Sequence, residues 1–388
     1  MVFLVNLARV VFAPLIQPAA AEFGVQTATL GVVTSAAWFG SAAPRLPTGY
    51  LLTRVPRHRV VAGTGLALVG TSVFTGFATS PAHLVVGAFL MGLSSGVYFI
   101  AANPLVSELF PDRVGQAIGV HGMASQVAAV GAPVGLSVVL LVGDWRQTFF
   151  GIAAVAAVTT AVLVVASRRT DLPEAGTEDR SLLTAARAQW RVIVTGIAFV
   201  GSAGFVWNGL FNLYGDYLEV VKGIDPETGR LLLSLMFAAG LPAFVLTGML
   251  ADRVPNIPLL LGIVVSFALS VLALTVVEGV VAIAAVSLLV GYSVHSLFPA
   301  IDTYTLSALP DQHRASAYAV FSATMMSIQA LGSGSVGLVV AGRLGYTAVF
   351  QGLALVLVTV AVVLVGLYRS DHLPSGGTPG QTPTAAAD

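Results

Sequence analysis

The chain has 388 residues, 56% of them apolar and only 9% charged, and its 18 basic and 18 acidic side chains cancel to zero net charge. An ordinary soluble domain is roughly 25% charged, so a soluble enzyme, a disordered chain and a nucleic-acid binder relying on a basic surface are excluded. The absence of cysteine also excludes a disulfide scaffold, a thiol nucleophile, a zinc–thiolate site and an iron–sulfur cluster.

A membrane-crossing helix needs about 20 mainly apolar residues. Twelve stretches qualify: 2–21, 29–52, 60–78, 83–106, 117–142, 148–166, 192–214, 229–251, 259–277, 280–306, 315–341 and 346–367. The first is read as a span and not as a cleaved signal, because it lacks a basic n-region and is interrupted by Arg9, Pro14 and Pro18. The one long internal link, 167–191, carries five Arg and four acidic residues. The tail after Arg369 is rich in Pro and Gly and is predicted to be disordered. With a cytoplasmic N-terminus, twelve basic residues fall inside (Arg54, Arg57, Arg59, Arg113, Arg168, Arg169, Arg180, Arg187, Arg191, Arg253, Arg314, Arg369) and four outside (Arg146, Lys222, Arg230, Arg343). Positive residues concentrate on the cytoplasmic side, so both termini are expected there, in the cell membrane.

The two halves repeat at an offset near 200. Gly49-Tyr-Leu-Leu-Thr-Arg-Val-Pro56 matches Gly248-Met-Leu-Ala-Asp-Arg-Val-Pro255, and Gly92, Phe99 and Ala101 match Gly291, Phe298 and Ala300, both at 199. Ala117 and Phe150 match Ala317 and Phe350 at 200. Each repeat contains six spans, an even number, so both run the same way through the membrane and are expected to flank a cavity. The predicted organisation is a six-helix bundle over 1–166, a cytoplasmic linker over 167–191, a second bundle over 192–368 and a tail over 369–388.

Strongly polar residues inside the spans are not evenly spread. Spans 1, 2, 4, 5, 7, 10 and 11 hold Asn6, Arg9, Gln17, Arg45, Asn103, His121, Gln126, Asn208, Asn212, His295, Asp302 and Gln329, whereas spans 3, 6, 9 and 12 together hold only Gln351. Such groups are costly in hydrocarbon and face protein or a wet cavity. The third, sixth, ninth and twelfth helices are therefore expected to be peripheral, with the others enclosing a polar centre.

The loop motif, the repeat and this partition together resemble the major facilitator superfamily, over nearly the whole chain. The family's Gly-x-x-x-Asp-Arg signature is intact as Gly248, Asp252 and Arg253, and altered as Gly49, Thr53 and Arg54. The resemblance implies an all-α membrane protein of twelve helices in two six-helix repeats, in which Asp252 sits near the start of span 5 and Thr53 near the start of span 11, both as gating residues. A carboxylate there would meet the free N–H groups and positive dipole end of a helix. Thr53 can accept a hydrogen bond but brings no charge.

Within the spans, Asn6 and Arg9 share one helical stripe, and Arg45 lies at similar depth on the neighbouring helix. Two permanent cations with no nearby carboxylate in the same half point to an anion, or to a partner across the cavity; snorkelling of Arg9 to the interface is the alternative. Asp302 is the one acidic residue well inside a span, two turns after His295. It is read either as a proton carrier, as half of a gate ion pair with an Arg such as Arg45, or as a group near the water boundary. Asn103, His121, Gln126, Asn208, Asn212 and Gln329 complete the candidate solute-contacting set, each with an interhelical hydrogen bond as its alternative.

These observations predict a secondary transporter that moves a small anionic or amphipathic solute by alternating access, with protons as the candidate coupling ion. It should be a monomer in the lipid bilayer, with no cofactor, metal, nucleic-acid partner or enzymatic activity. The rivals are a drug or metabolite efflux antiporter and a transport-inactive sensor that keeps the fold.

Overall fold

The computed structural model describes residues 1–25, 27–170, 172, 181–342 and 345–374. The link residues 171 and 173–180 and the tail from 375 onward, including most of the stretch expected to be disordered, lie outside the described residues.

Among the described residues the regular structure is all helical. The first span is two helices, α1 (Val2–Val10) and α2 (Phe12–Phe23). The second is likewise split, into α3 (Thr27–Ala42) and α4 (Arg45–Leu51). Then come α5 (Arg57–Gly76), α6 (Pro81–Leu109), α7 (Val114–Val142) and α8 (Arg146–Ser167). A short helix, α9 (Leu182–Ala188), lies in the link. The second half supplies α10 (Trp190–Lys222), α11 (Pro226–Ala238), α12 (Gly240–Ala251), α13 (Asn256–Val276), α14 (Val280–Ala308), α15 (Asp311–Gly342) and α16 (Tyr346–Arg369).

Where a single apolar stretch becomes two helices, a proline explains the break. A proline ring clashes with the carbonyl four residues earlier and supplies no N–H. Pro14 acts on Val10, the last residue of α1; Pro44 stands in the gap between α3 and α4 and Pro47 acts on Ala43 in the same gap; Pro242 acts on Ala238, the last residue of α11. Eight segments among the described residues are long and apolar enough to cross a membrane, and nine if the bent pair Pro111–Ala132 and Val134–Leu141 counts as one. The proline-broken α1–α2 and α3–α4 and the long α15 complete the twelve stretches read from the sequence.

The chain divides into two compact units. The first comprises Met1–Leu109, Ala124–Ala185 and Asp311–Val320; the second comprises Phe110–Met123, Ala186–Pro310 and Phe321–Asp388. Each unit thus takes most of one sequence half plus the opening turns of one long helix from the other half.

The repeat is visible in the packing. In the first unit Gly92 of α6 lies against the Ala37 carbonyl of α3, leaving no room for a side chain. In the second unit Gly291 of α14 lies in the same way against the Met236 carbonyl of α11. Both residues of the second pair stand 199 positions after their counterparts, so one close helix crossing is built twice. Among the long apolar helices, α8 and α16 bury the smallest share of their length.

Candidate functional site

In the first unit Arg9 is the centre of a small constellation. Its Nη2 donates to Asn6 Oδ1, and Asn6 Nδ2 donates to the Ser125 carbonyl of α7 at 2.6 Å. The Asn6 amide is therefore oriented from both ends. The Arg9 guanidinium lies over the Trp38 ring, 4.1 Å from Cζ to the centroid, with Phe99 at 5.8 Å. A guanidinium stacks well on an aromatic face. The Arg9 Nε is sealed from solvent with no hydrogen-bond partner among the described residues. Arg45 acts on Arg9 as a like charge. It is buried, and its Nε donates to the Ser41 carbonyl at 3.3 Å, at the break that Pro44 introduces.

The second unit places aromatic rings around His295. Trp207, Phe237, Phe244 and Phe298 stand with centroids 5.5, 5.8, 6.5 and 6.4 Å from the imidazole. His295 is buried, with Nδ1 2.7 Å from the Gly291 carbonyl. A carbonyl only accepts, so Nδ1 carries a hydrogen and donates it. Gly122 of α7 packs on the Phe244 ring, where any side chain would collide with it.

The loop motif sits at helix ends. In the second unit the Asp252 carboxylate accepts the backbone N–H groups of Gly115 and Gln116, each at 2.6 Å, at the start of α7. Gly248 lets that turn approach, its Cα side facing Gly115 and Gly119. In the first unit Gly49 packs on Ala319 of α15, the repeat counterpart of the Gly248–Gly119 contact. Thr53 there is buried and donates to its own helix, to the Tyr50 carbonyl at 2.8 Å. Arg54 stacks on Tyr50 with Cζ 4.5 Å from the centroid, and Arg253 is exposed.

The charge missing at Thr53 is supplied by residues outside the predicted set. Arg57 Nη1 meets Glu108 Oε1 at 2.6 Å, with side chains 5% and 10% exposed. Arg314 of α15 reaches the same carboxylate at 3.6 Å and pairs with Asp311 at 2.6 Å. The signal lay in the repeat: Ser107-Glu108 aligns with Ser307-Ala308, so the acid was added to one half only.

Other predicted residues have local partners. Asn103 is buried and donates to the Tyr318 hydroxyl at 2.8 Å. Asn208 donates to the Gly204 carbonyl of its own helix at 3.0 Å. Gln329 is 3.5 Å from the Val200 carbonyl and packs on Gly204. His121, Gln126 and Asp302 are half-buried, His121 and Asp302 in the second unit and Gln126 in the first. The side chain of Asn212 lies outside the described residues.

At the opposite helix ends, Arg146 grips Glu22 through two contacts of 2.6 and 2.9 Å and donates to the Ala78 carbonyl at 2.9 Å. Trp145 Nε1 adds a 2.6 Å bond to Glu22. The hydrogen bond from Arg146 holds the Glu22 carboxyl below its ordinary range. In the second unit Lys222 donates to Val277, the counterpart of Ala78, at 2.8 Å and to Glu278 at 2.9 Å.

A repeated bundle of apolar helices, with paired glycine crossings and polar groups gathered on certain helices, defines a multi-pass membrane protein of the two-repeat class. Comparison with known proteins makes the assignment specific: the Major Facilitator Superfamily model matches residues 1–333 and 222–387, and the chain belongs to that family of transporters. Its fold resembles that of the proton:xylose symporter XylE, with a TM-score of 0.77 at 14% identity over 97% of this chain and 95% of that one. The chain is 29% identical over 262 residues to the probable sulfoacetate transporter SauU of Cupriavidus necator, covering 63% of this chain and 60% of that protein. It is 38% identical over 93 residues to the 4-hydroxybenzoate transporter PcaK of Pseudomonas putida, covering 24% and 21%. The matches thus span less than two thirds of these relatives' lengths.

Proposed function

We propose that the protein is a proton-coupled transporter of small organic anions, and that Arg9 receives the anionic group. The observation that carries this reading is the Arg9 constellation. A guanidinium is fixed by Asn6 and flattened on Trp38, its Nε has no partner among the described residues, and Arg45 adds like charge. Two cations held together in low dielectric repel, and an entering carboxylate or sulfonate relieves that repulsion. The sulfoacetate and 4-hydroxybenzoate in the names of two relatives are both organic acids, which agrees with this chemistry.

In this reading Asp302 carries the coupling proton, because it is the one carboxylate well inside a span. The proton symporter among the similar folds agrees with such coupling. Asp252 on the α7 terminus and the Arg57–Glu108–Arg314 network are the latches of alternating access. The Arg-rich side is cytoplasmic, with both termini there and the protein in the cell membrane.

Uptake into proteoliposomes tests the proposal. Labelled sulfoacetate or benzoate should accumulate when a pH gradient is imposed, and dissipating the gradient should abolish accumulation. Accumulation of neutral sugars with no carboxylate uptake would reject the reading.

A further inference from the structure

We infer that Leu182, in the link between the two halves, is a positioning residue of the first repeat's gate: it straps the crossing of α4 and α15 and holds that crossing closed. The inference rests on the alternating-access reading and not on the charge of the solute.

The two repeats surround their motif glycines differently. In the second unit, the atoms nearest to where a Gly248 side chain would begin are backbone, the Gly115 carbonyl and the Gly119 Cα of α7. Asp252 anchors the same helix start through two hydrogen bonds. In the first unit, the equivalent point at Gly49 is faced by side chains, the Ala319 methyl of α15 and Leu182 Cδ2 of α9, the latter at 3.1 Å. All three residues belong to the first unit. Thr53 donates its hydroxyl to the Tyr50 carbonyl of its own turn and brings no charge to α15. Where one repeat sets a carboxylate on a helix end, the other has an apolar contact delivered by the link.

The link is shaped for this contact. Ser181 Oγ accepts the Thr184 N–H at 3.2 Å, and the Ser181 carbonyl accepts the Ala185 N–H at 3.0 Å. That is the capping arrangement of a helix start, and it makes Leu182 the first residue of α9. Leu182 and Ala185, one turn apart, share the covered face: Ala185 is buried and Leu182 half-buried, whereas Leu183 between them is 59% exposed. α15 changes units after Val320, so its crossing with α4 is a place that alternating access has to open. Leu182 meets α4 and α15 at one point only while they are crossed. Its burial therefore belongs to the closed form and weights the equilibrium toward it.

The test uses the full-length protein, which has no cysteine of its own. Ser316→Cys places a single thiol on α15, one turn before Ala319, at a position 3% exposed. Its rate of reaction with a water-soluble maleimide, in purified protein without solute, follows the fraction of molecules whose crossing is open. Added to that background, Leu182→Ala should raise the rate about four- to fifteenfold, the worth of one to two buried methylene groups. Leu182→Met, close in volume, should restore the parent rate. Leu183→Ala, on the exposed side of the same turn, should leave it unchanged. A separate reporter, Ser270→Cys in the buried part of α13, registers general loosening and should not respond to Leu182→Ala.

Gly49→Ala, whose new methyl would collide with Ala319, separates the strap from the gate. If it raises labelling at 316 while Leu182→Ala does not, the strap is overturned and the opening crossing stands. If neither raises it, the crossing does not open, and the gate of alternating access fails together with the strap. Equal rises in Leu182→Ala and Leu183→Ala, or an equal rise at 270, would reduce Leu182 to general packing and overturn the proposal as well.

Discussion

Arg57 and Glu108 form a salt bridge of 2.6 Å at helix ends, buried almost completely, in the repeat whose loop motif carries Thr53 in place of an acid. Glu108 is shared with Arg314 of α15, so one carboxylate ties the start of α5 and the end of α6 to the start of a helix from the other sequence half. Removing one partner of a buried pair leaves an uncompensated charge and costs about 3–5 kcal/mol. Glu108→Gln should therefore lower the thermal unfolding temperature clearly, as read by the fluorescence of the purified protein. The double change Arg57→Leu with Glu108→Leu should recover much of the loss, because apolar replacement of a whole pair is often near neutral. A double variant less stable than Glu108→Gln would show that the network does more than neutralise charge.

The Asp252 contact is of a different kind, made with a helix terminus and not with a cation. Its two oxygens take the Gly115 and Gln116 N–H groups at 2.6 Å. Asp252→Asn keeps the shape, loses the charge and replaces one acceptor oxygen by an amide donor. The dipole contribution is about 0.3–1 kcal/mol, up to ~2 when partly buried. That loss should shift the conformational equilibrium by roughly two- to thirtyfold while solute affinity, corrected for the shift, stays unchanged. Accessibility of a cysteine introduced at exposed Arg113 reads the shift, and a corrected affinity that still falls would place Asp252 in the solute site.

The twelve stretches, the repeat and the place of Asp252 against the start of α7 could be read from the sequence because each leaves a one-dimensional trace: apolar length, a fixed offset, a six-residue motif. Proline positions account for the broken spans, which apolar length alone gives as single stretches. The ring cluster left no such trace. Phe237, Phe244 and Phe298 look like ordinary apolar filling until His295 is seen among them. Asn103 and Asn208 show the reverse case, since polar residues on the selected helices turned to Tyr318 and to their own helix backbone. Spacing tells which helix face a residue occupies, but only packing tells whether its donors are already taken.

The Glu22–Arg146 clamp gives a pH dependence with a defined sign. The carboxyl is held below its ordinary value by Arg146 in the folded protein. A depressed pKa means that the folded state favours the charged form. Its contribution is fully present above the unfolded carboxylate pKa, near 4.3, and is lost as pH falls through the lower folded value. Stability at this clamp should be flat between about pH 6 and 8 and decline below about pH 4. Glu22→Gln should remove that acid step while leaving neutral-pH folding intact, because the carboxylate is 42% exposed in the bridge. Emission from Trp145, which donates to Glu22 at 2.6 Å, follows the change. An identical acid profile in Glu22→Gln would assign the step to other groups.

Arg9 offers the sharpest separation between charge and shape. Lys at this position would keep the positive charge but lose the planar donor fork and the flat contact with Trp38. Cation–π contact contributes about 0.5–2 kcal/mol depending on desolvation, and a two-pronged hydrogen bond to a carboxylate adds directionality. Arg9→Lys should therefore weaken carboxylate binding by about tenfold, a loss of roughly 1.4 kcal/mol. Arg9→Ala should weaken it further. Asn6→Ala should have a smaller effect, because Asn6 orients Arg9 without supplying charge. Trp38→Leu removes the ring beneath the guanidinium and should approach the Lys variant in affinity. Titration calorimetry with benzoate measures all four in one series. The order Arg9→Ala, then Arg9→Lys and Trp38→Leu together, then Asn6→Ala, from weakest binder to strongest, is what anion capture by a stacked guanidinium requires. Benzoate affinity that survives Arg9→Ala would move the anion to Arg45, which the Arg9 variants leave in place beside the break between α3 and α4.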